Sequence, residues 1–385
     1  CWFQETWNAS GVQTVQQTVL SCPTMYGVQY STPLVTSGSQ IWTTWRQANR
    51  LEANIMKAVR IDNYGIANEV AYCTELPDPS PPATDEVIVD VAAFPINPAD
   101  LLTIEGKYAT QPPLPYTPGA EAVGHVSEVG AAVDEFVPGD LVMLLSRENW
   151  VQKRKVKAAE LLKINTDSDD LLQFAMLKVN PATAALMLRS YVELKPGDWI
   201  IQDAANSGVG HCVIRLAAKS GVKTINVVRR ENHITPLQSI GADAVLIGAD
   251  NLAEQVNQIT GGDGVRLAID AVAGRTSLEL ASCLADGGVM VNYGMLSGEP
   301  CMVMPDWIVF RHLTLTGFWL ATQLRNMARN QIDTLYQELT DDISQGVLSV
   351  PIEATYGIDD IKDALAHAGR ENRSGKVLVL PNGAA

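Results

Sequence analysis

No two cysteines in this chain stand at CxxC spacing, and the six present (Cys1, Cys22, Cys73, Cys212, Cys283 and Cys301) are scattered along its length. Disulfide frameworks of small secreted domains and structural zinc knuckles both need cysteines close together, so the pattern excludes both and suits a reducing compartment. Long apolar runs are missing too. None approaches the roughly 20 residues that a membrane-spanning helix requires, which argues against an integral membrane protein. Basic residues are scarce: 28 Lys and Arg face 43 Asp and Glu, a formal net charge of −15 that disfavours a nucleic-acid backbone as partner. The five histidines (His125, His211, His233, His312 and His367) show no metal-ligand spacing and no adjacent nucleophile. They read as structural or surface residues. What is present, 46% hydrophobic and 18% charged residues over 385 positions, suits two globular domains that each bury a core.

The first 55 residues differ from the rest. They hold four of the eight tryptophans (Trp2, Trp7, Trp42, Trp45), much Ser, Thr and Gln, and no Lys. A secretory signal would start basic and carry a compact apolar stretch, and a transit peptide would carry several Arg, whereas Arg46 and Arg50 come late. We read 1–55 as a non-core segment of upstream or vector origin, with a fresh start possible at Met56 and a degraded transit peptide as the alternative. A cytoplasmic location is expected, a mitochondrial one being the alternative.

From Met56 the pattern is orderly. Lys57 to Ile61 and the alternating Glu86 to Val91 read as strands, and Pro-Gly-Asp at 138–140 turns the chain into another, so the segment to about 178 reads as a curled antiparallel domain. Then the period changes. A helix over Pro181 to Val192 precedes strand Trp199 to Gln202, helix Val209 to Ser220, strand Thr224 to Val228, a helix near Pro236 to Ile240 and strand Ala244 to Ile247. Helix Leu252 to Ile259, strand Val265 to Ile269, helix Ser277 to Leu284 and strand Val289 to Tyr293 continue the series, which builds a doubly wound parallel sheet. From about 320 the chain turns helical, and a final strand, Lys376 to Leu380, is expected to return to the first domain. The expected division is 56–178 with 320–385 for one domain and 179–319 for the other.

Two local signals carry chemistry. Ala205-Asn206-Ser207-Gly208-Val209-Gly210 follows a strand and opens a helix, where small residues let the backbone approach a pyrophosphate and the helix N-terminus offers free N–H groups. A tight turn without a ligand is the alternative. Nineteen residues beyond Gly210, the next strand ends in Arg229-Arg230, where an acidic residue would favour NAD and a basic pair accommodates a 2′-phosphate. This implies NADPH; a solvated Arg pair is the bland reading. The run Lys153-Arg154-Lys155 with Lys157 could meet the phosphate of coenzyme A or an acidic carrier protein, although a solvated strand face explains it better.

The order of parts over 56–385 resembles the medium-chain dehydrogenase/reductase superfamily, through Asn97-Pro98-Ala99-Asp100, Pro118-Gly119-Ala120-Glu121, Val137 to Asp140, Ala205 to Gly210 and Asp286-Gly287-Gly288. That resemblance implies an α/β fold: a Rossmann nucleotide domain beside a GroES-like antiparallel domain. The zinc alcohol dehydrogenases of the superfamily carry a Cys in the first phrase region and Gly-His-Glu in the second. Here Ala120 precedes Glu121 and no Cys lies near Asn97, so the zinc-free branch is expected, with no metal. Within that branch Ile104 to Tyr108, Asn206 to Gly210, Thr224 to Arg229 and Gly317 to Leu320 are most similar to 2-enoyl thioester reductases of the mitochondrial type.

What this resemblance implies goes residue by residue. Tyr108 matches the family's active-site tyrosine, and Asn180 an asparagine near the cofactor. Asn206, Ser207, Gly208 and Val209 match the phosphate turn, Arg229 and Arg230 the 2′-phosphate contacts, and Tyr293, Gly294 and Met295 a loop beside the nicotinamide. Phe318, Trp319, Leu320 and Lys376 match later cofactor contacts. The implied reaction is NADPH-dependent reduction of a 2-enoyl thioester of coenzyme A or acyl carrier protein by a homodimer. A phenol suits it, because it is protonated at neutral pH and can donate to the enolate α-carbon. Tyr108 as a surface loop aromatic and Trp319 as a plain core residue are the structural alternatives. NADPH:quinone oxidoreduction is the alternative activity, and a nucleotide-binding structural or sensor protein the alternative of another class.

Overall fold

The structure, a computed structural model, describes residues 54–248 and 251–383, together with the backbone of Glu5–Trp7 and Gln13–Val15. The chain divides into two compact units, Cys1–Ala53 and Asn54–Ala385. In the first, the two short strands pair antiparallel. The origin expected for 1–55 otherwise concerns positions outside the described residues.

In the second unit, β1 (Ile55–Arg60) and β2 (Tyr72–Pro77) form an antiparallel pair. Next come β3 (Glu86–Pro95), helix α1 (Pro98–Ile104), β4 (Val123–Val129), β5 (Leu141–Leu144), β6 (Lys153–Lys157) and β7 (Leu161–Lys163). The ten residues of β3 serve three neighbours: β4 along one edge, β6 beside Glu86–Asp90, and the C-terminal strand at Phe94 and Pro95. That sharing curls the sheet around a core in which Phe94 stacks on the fully buried Trp150 at 5.5 Å.

The nucleotide half runs helix α2 (Asn180–Ser190), β8 (Trp199–Gln202), α3 (Gly208–Lys219), β9 (Lys223–Val228), β10 (Ala244–Ile247), β11 (Val265–Asp270), β12 (Leu284–Asn292) and β13 (Thr314–Gly317). All pairings among its six strands are parallel, in the order β10-β9-β8-β11-β12-β13. This is the doubly wound order in which strand direction of travel reverses between the first and fourth strands, β8 and β11. The chain closes with α4 (Arg329–Ser344), β14 (Ile352–Gly357) and β15 (Lys376–Leu380). β15 runs parallel to β14 and antiparallel to β3, so the end of the chain lies in the first sheet.

Two readings shift. The helix expected over Ser277 to Leu284 is Arg275–Ser282, and Leu284 instead opens β12, pairing with Val265 before a register break that the positive-φ Gly287 accommodates. β13 had no signal in the sequence: it has four residues, two of them Thr, and is largely exposed. Helix α2 shows little apolar periodicity because it is buried from Asn180 through Met187 between α3, α4 and the first sheet.

Leu378, fully buried in β15, joins the C-terminal strand to that shared core. Leu378→Ala should lower unfolding free energy by about 2–5 kcal/mol, the range for emptying such a site. Urea denaturation checks this, and a change below about 0.5 kcal/mol, the scale of a surface substitution, would show that the strand is peripheral.

Candidate functional site

In an open parallel sheet, ligands bind beyond the carboxyl ends of the strands, at the point where strand order reverses. Most sequence-derived site residues stand at that edge. Asn206–Val209 follow β8, Arg229–Arg230 follow β9, Tyr293–Met295 follow β12, and Phe318–Leu320 follow β13.

The turn after β8 is built for close approach. Ala204 has a φ of 42°, Ser207 N–H donates to its carbonyl at 2.8 Å, and Ser207 Oγ caps α3 by accepting from Gly210 N–H at 3.1 Å. A Cβ at Gly210 would stand 2.3 Å from the Ala205 carbonyl, so only glycine fits there. A Cβ at Gly208 would meet Asn180 Nδ2 at 3.0 Å. Asn180 is 5% exposed at the start of α2, and its Nδ2 has no hydrogen-bond partner. A buried, unpaired donor beside free helix N–H groups is the arrangement a dinucleotide phosphate satisfies. The residues therefore fit the cofactor that the fold implies.

At the far end of β9, the Arg229 and Arg230 side chains reach solvent, and Arg229 Nη1 lies 3.7 Å from Glu371 Oε2. Both members of that pair are more than three-quarters exposed, so it contributes little stability. Tyr293 follows β12, its backbone N–H donating to the Asp270 carbonyl at 2.9 Å. Gly294 is pressed against the Ala271 carbonyl, where a Cβ would come within 2.4 Å. Met295 is exposed, Leu320 half-buried, and Phe318 buried in the core shared with α2 and α3.

Two carboxylates at the reversal point escaped the sequence reading. Asp203 follows β8 and Asp270 ends β11; they are 2% and 0% exposed. Asp203 Oδ1 accepts from Ala271 N–H at 2.7 Å, and Asp270 Oδ1 accepts from Val272 and Ala273 N–H at 2.9 and 2.8 Å. Asp203 Oδ2 has no partner. Burial, and next the Asp270 charge, push the Asp203 carboxyl well above the ordinary range. The available signal was repetition: Ile-Gln-Asp-Ala and Ala-Ile-Asp-Ala end both strands.

Tyr108 lies in the loop after α1, and Trp319 just beyond β13. Trp319 Nε1–H donates to the Tyr108 oxygen at 2.9 Å, and the rings meet edge to face at 6.2 Å. The two residues, 211 positions apart, are thus brought together, and both are half-buried.

Lys376 goes elsewhere. It is 6% exposed, and its Nζ donates to Asn97 Oδ1 at 2.5 Å and to the Ile96 carbonyl at 3.3 Å. Asn97 Nδ2 donates to Glu121 Oε1 at 2.7 Å, and Glu121 Oε2 accepts from Val179 N–H at 2.8 Å. Lys178 Nζ binds the carbonyls of Ala120 and Ser146 at 2.5 and 3.0 Å. Burial pushes Glu121 up and both ammonium groups down, and the opposite charges offset part of that effect. These are the two phrases in which the zinc enzymes keep metal ligands. A carboxylate already tied to an amide and a backbone N–H, beside two ammonium groups, does not fit zinc. Among the described residues no group of three His, Cys, Asp or Glu is placed to hold a metal.

The basic run on β6 is neutralised in place: Lys153 pairs with Asp78, Arg154 with Glu148, Lys155 with Glu86 and Lys157 with Asp85, at 2.6 to 3.6 Å. It reads as a paired sheet face.

A carboxyl held protonated in the fold but ionised when unfolded loses stability as pH rises above its unfolded value near 4. Asp203→Asn keeps the acceptor toward Ala271 without the charge. The stability of the variant relative to the wild-type chain should therefore grow between pH 4 and pH 8. Denaturant midpoints across that range check it, and a constant difference would contradict burial of Asp203 as a protonated acid.

Comparison with known proteins agrees with this architecture. Residues 83–162 match the alcohol dehydrogenase GroES-like domain and residues 208–339 the zinc-binding dehydrogenase family. The mitochondrial enoyl-[acyl-carrier-protein] reductase of Rattus norvegicus is 34% identical over 350 residues, covering 88% of this chain and 94% of that protein. A quinone oxidoreductase from Pseudomonas syringae pv. tomato DC3000 superposes with a TM-score of 0.76 at 26% identity, covering 85% of this chain and all of that one. The mitochondrial 2-enoyl thioester reductase Etr1p/Etr2p heterodimer from Candida tropicalis gives 0.77 at 24% identity with the same coverage, a likeness of fold. With its Rossmann and GroES-like halves, the chain is an oxidoreductase of the medium-chain dehydrogenase/reductase superfamily and belongs to the enoyl-[acyl-carrier-protein] reductase family.

Proposed function

We propose that the chain reduces the C=C bond of 2-enoyl thioesters, carried on coenzyme A or an acyl carrier protein, using NADPH, with Tyr108 as the proton donor. The observation that carries this reading is the Trp319 to Tyr108 hydrogen bond. Because the indole N–H occupies an acceptor position on the phenol oxygen, the phenol's own O–H is left to donate to substrate. After it has donated, the same N–H steadies the phenolate oxygen.

Bound NADPH would supply the hydride for the β-carbon. Asn180, Asn206, Ser207, Gly208 and Val209 would hold its pyrophosphate, with the free Asn180 amide as one donor. Arg229 and Arg230 would take the 2′-phosphate, the exposed Glu371 yielding Arg229 to the stronger dianion. Tyr293, Gly294 and Met295, with Phe318, Trp319 and Leu320, would line the nicotinamide side. Lys376 would act from behind by fixing Asn97 and Glu121. The domain division at 178/179 and 319/320 assigns Tyr108 and Trp319 to opposite sides of the cleft.

NADPH:quinone oxidoreduction is the second reading, favoured by the likeness to the bacterial quinone oxidoreductase; a nucleotide-binding structural or sensor protein without turnover is a third. A homodimer is supported by the outer strand β13, which is preceded in the chain by a helix, Pro305–Arg311, that presents Ile308, Val309 and Phe310 to solvent. Two copies pairing there would cover both. The names of the relatives support a mitochondrial rather than a cytoplasmic location.

Two outcomes follow from this reading. Replacing Arg229 and Arg230 by Gln should weaken NADPH binding by about 10- to 100-fold, the worth of one lost charged hydrogen bond, while NADH binding stays within a factor of two or so of wild type, since it lacks the 2′-phosphate. Equal loss of both cofactors by titration calorimetry would overturn the assignment. Tyr108→Phe keeps the ring but removes the proton, so the single-turnover rate with crotonyl thioester should fall by roughly 10²- to 10⁴-fold with NADPH affinity unchanged. An unaltered rate would exclude Tyr108 as the donor.

A further inference from the structure

Arg147 stands against the proton-donating phenol, and no motif pointed to it. Its guanidinium carbon lies 5.8 Å from the centroid of the Tyr108 ring. The side chain is half-buried and held on several sides. One Nη donates toward Thr103 Oγ1 of α1 at 3.4 Å, and the Tyr116 hydroxyl and the buried Asp100 of α1 lie near the guanidinium.

Its backbone is fixed as well. Asn149 Nδ2–H and Lys178 Nζ–H both bind the Ser146 carbonyl, and Arg154 Nη2–H binds the Arg147 carbonyl at 3.2 Å. The next residue, Glu148, adopts a φ of 69°, a conformation disfavoured for a side-chain-bearing residue. Its carboxylate pairs with Arg154 rather than with Arg147. A loop held this firmly to present a cation to one face of a phenol is more than packing requires.

We propose that Arg147 is a positioning residue for proton donation: its permanent positive charge steadies the phenolate that Tyr108 becomes. The inference rests on the reading of Tyr108 as proton donor. In that step the Tyr108 O–H bond breaks and a C–H bond forms at the α-carbon, using the electron pair of the enolate. The phenolate left behind is reprotonated by water. A guanidinium remains charged throughout the working pH range, so its attraction rises as the ring gains negative charge. Trp319 N–H acts on the oxygen and Arg147 on the ring face, so the two are complementary. The other titratable groups facing this pair are Asp100 and Tyr116, with Glu148 and Lys178 at its margins.

The test compares wild type with R147M, R147Q, R147K, Y108F and R147M/Y108F, all saturated with NADPH. Tyr108 ionisation is followed by ultraviolet difference titration against the matching Y108F protein, and single-turnover reduction of crotonyl thioester is measured from pH 6 to pH 10. Loss of the charge should move the midpoint of that titration upward and slow the chemical step near pH 7 by about 3- to 10-fold. R147K should restore most of both. In the Y108F background R147M should change nothing further. A midpoint and rate that stay at wild-type values in R147M would overturn the role of Arg147 while leaving the large Y108F defect, and with it the donor assignment, intact. Wild-type turnover in Y108F would remove the donor reading itself. Equal slowing of both backgrounds would reduce Arg147 to a structural residue, and R147Q decides if R147M does not fold.

Discussion

The structure depends on a charge cluster buried where six stretches of chain meet. Glu121 takes hydrogen bonds from Asn97 and from the backbone just ahead of α2; Lys376 reaches Asn97 from the last strand; Lys178 grips the Ala120 and Ser146 carbonyls; and Tyr336 on α4 binds the Lys178 carbonyl. Burying such charges is unfavourable unless each is met, and one unmatched member costs several kcal/mol. The geometry is therefore over-determined. Because Val179 is one of the bonded groups, the cluster also sets where Asn180 begins α2. That in turn sets the donor that faces Gly208. The zinc enzymes use the same two phrases to hold a metal, and here hydrogen bonds through the Asn97 amide tie them together.

A second consequence is a division of labour around the cleft. The parallel sheet brings six strand ends to one edge, and the phosphate turn, the Arg pair, the Tyr293 loop and Trp319 follow four of them. The antiparallel half contributes Tyr108 and, beside it, Arg147. The Trp319 to Tyr108 hydrogen bond joins the two contributions and holds the loop residue in place, as the proposed proton donation requires. The Asp203 and Asp270 pair sits under the same edge and is fixed by three consecutive backbone N–H groups, so the loop after β11 keeps its shape against Gly294.

Much of this was legible in the sequence for a physical reason. The central strand Trp199–Gln202 is a short, largely apolar run buried from Ile200 onward, and the glycine-bearing turn between strand and helix has few other uses. β13 was not legible, since an outer strand of exposed residues carries no burial signal. The contacts that make the site were hidden by distance along the chain: Asn97 and Lys376 are 279 positions apart. Resemblance pointed to Lys376 as a cofactor contact, and its bonds to Asn97 and Ile96 have no local signal in the sequence. Arg147 was invisible because nothing in a loop of mixed polarity marks which side chain turns toward Tyr108.

The central claim is that this site delivers a hydride and a proton to a conjugated C=C. The most direct measurement is product analysis after NADPH is mixed with enzyme and either crotonyl thioester or a quinone in deuterated water. The account predicts stoichiometric NADPH oxidation with the thioester, with one deuterium at the α-carbon and light hydrogen at the β-carbon, and markedly slower oxidation with quinone. Rapid turnover confined to the quinone, or deuterium arriving at the β-carbon, would contradict it.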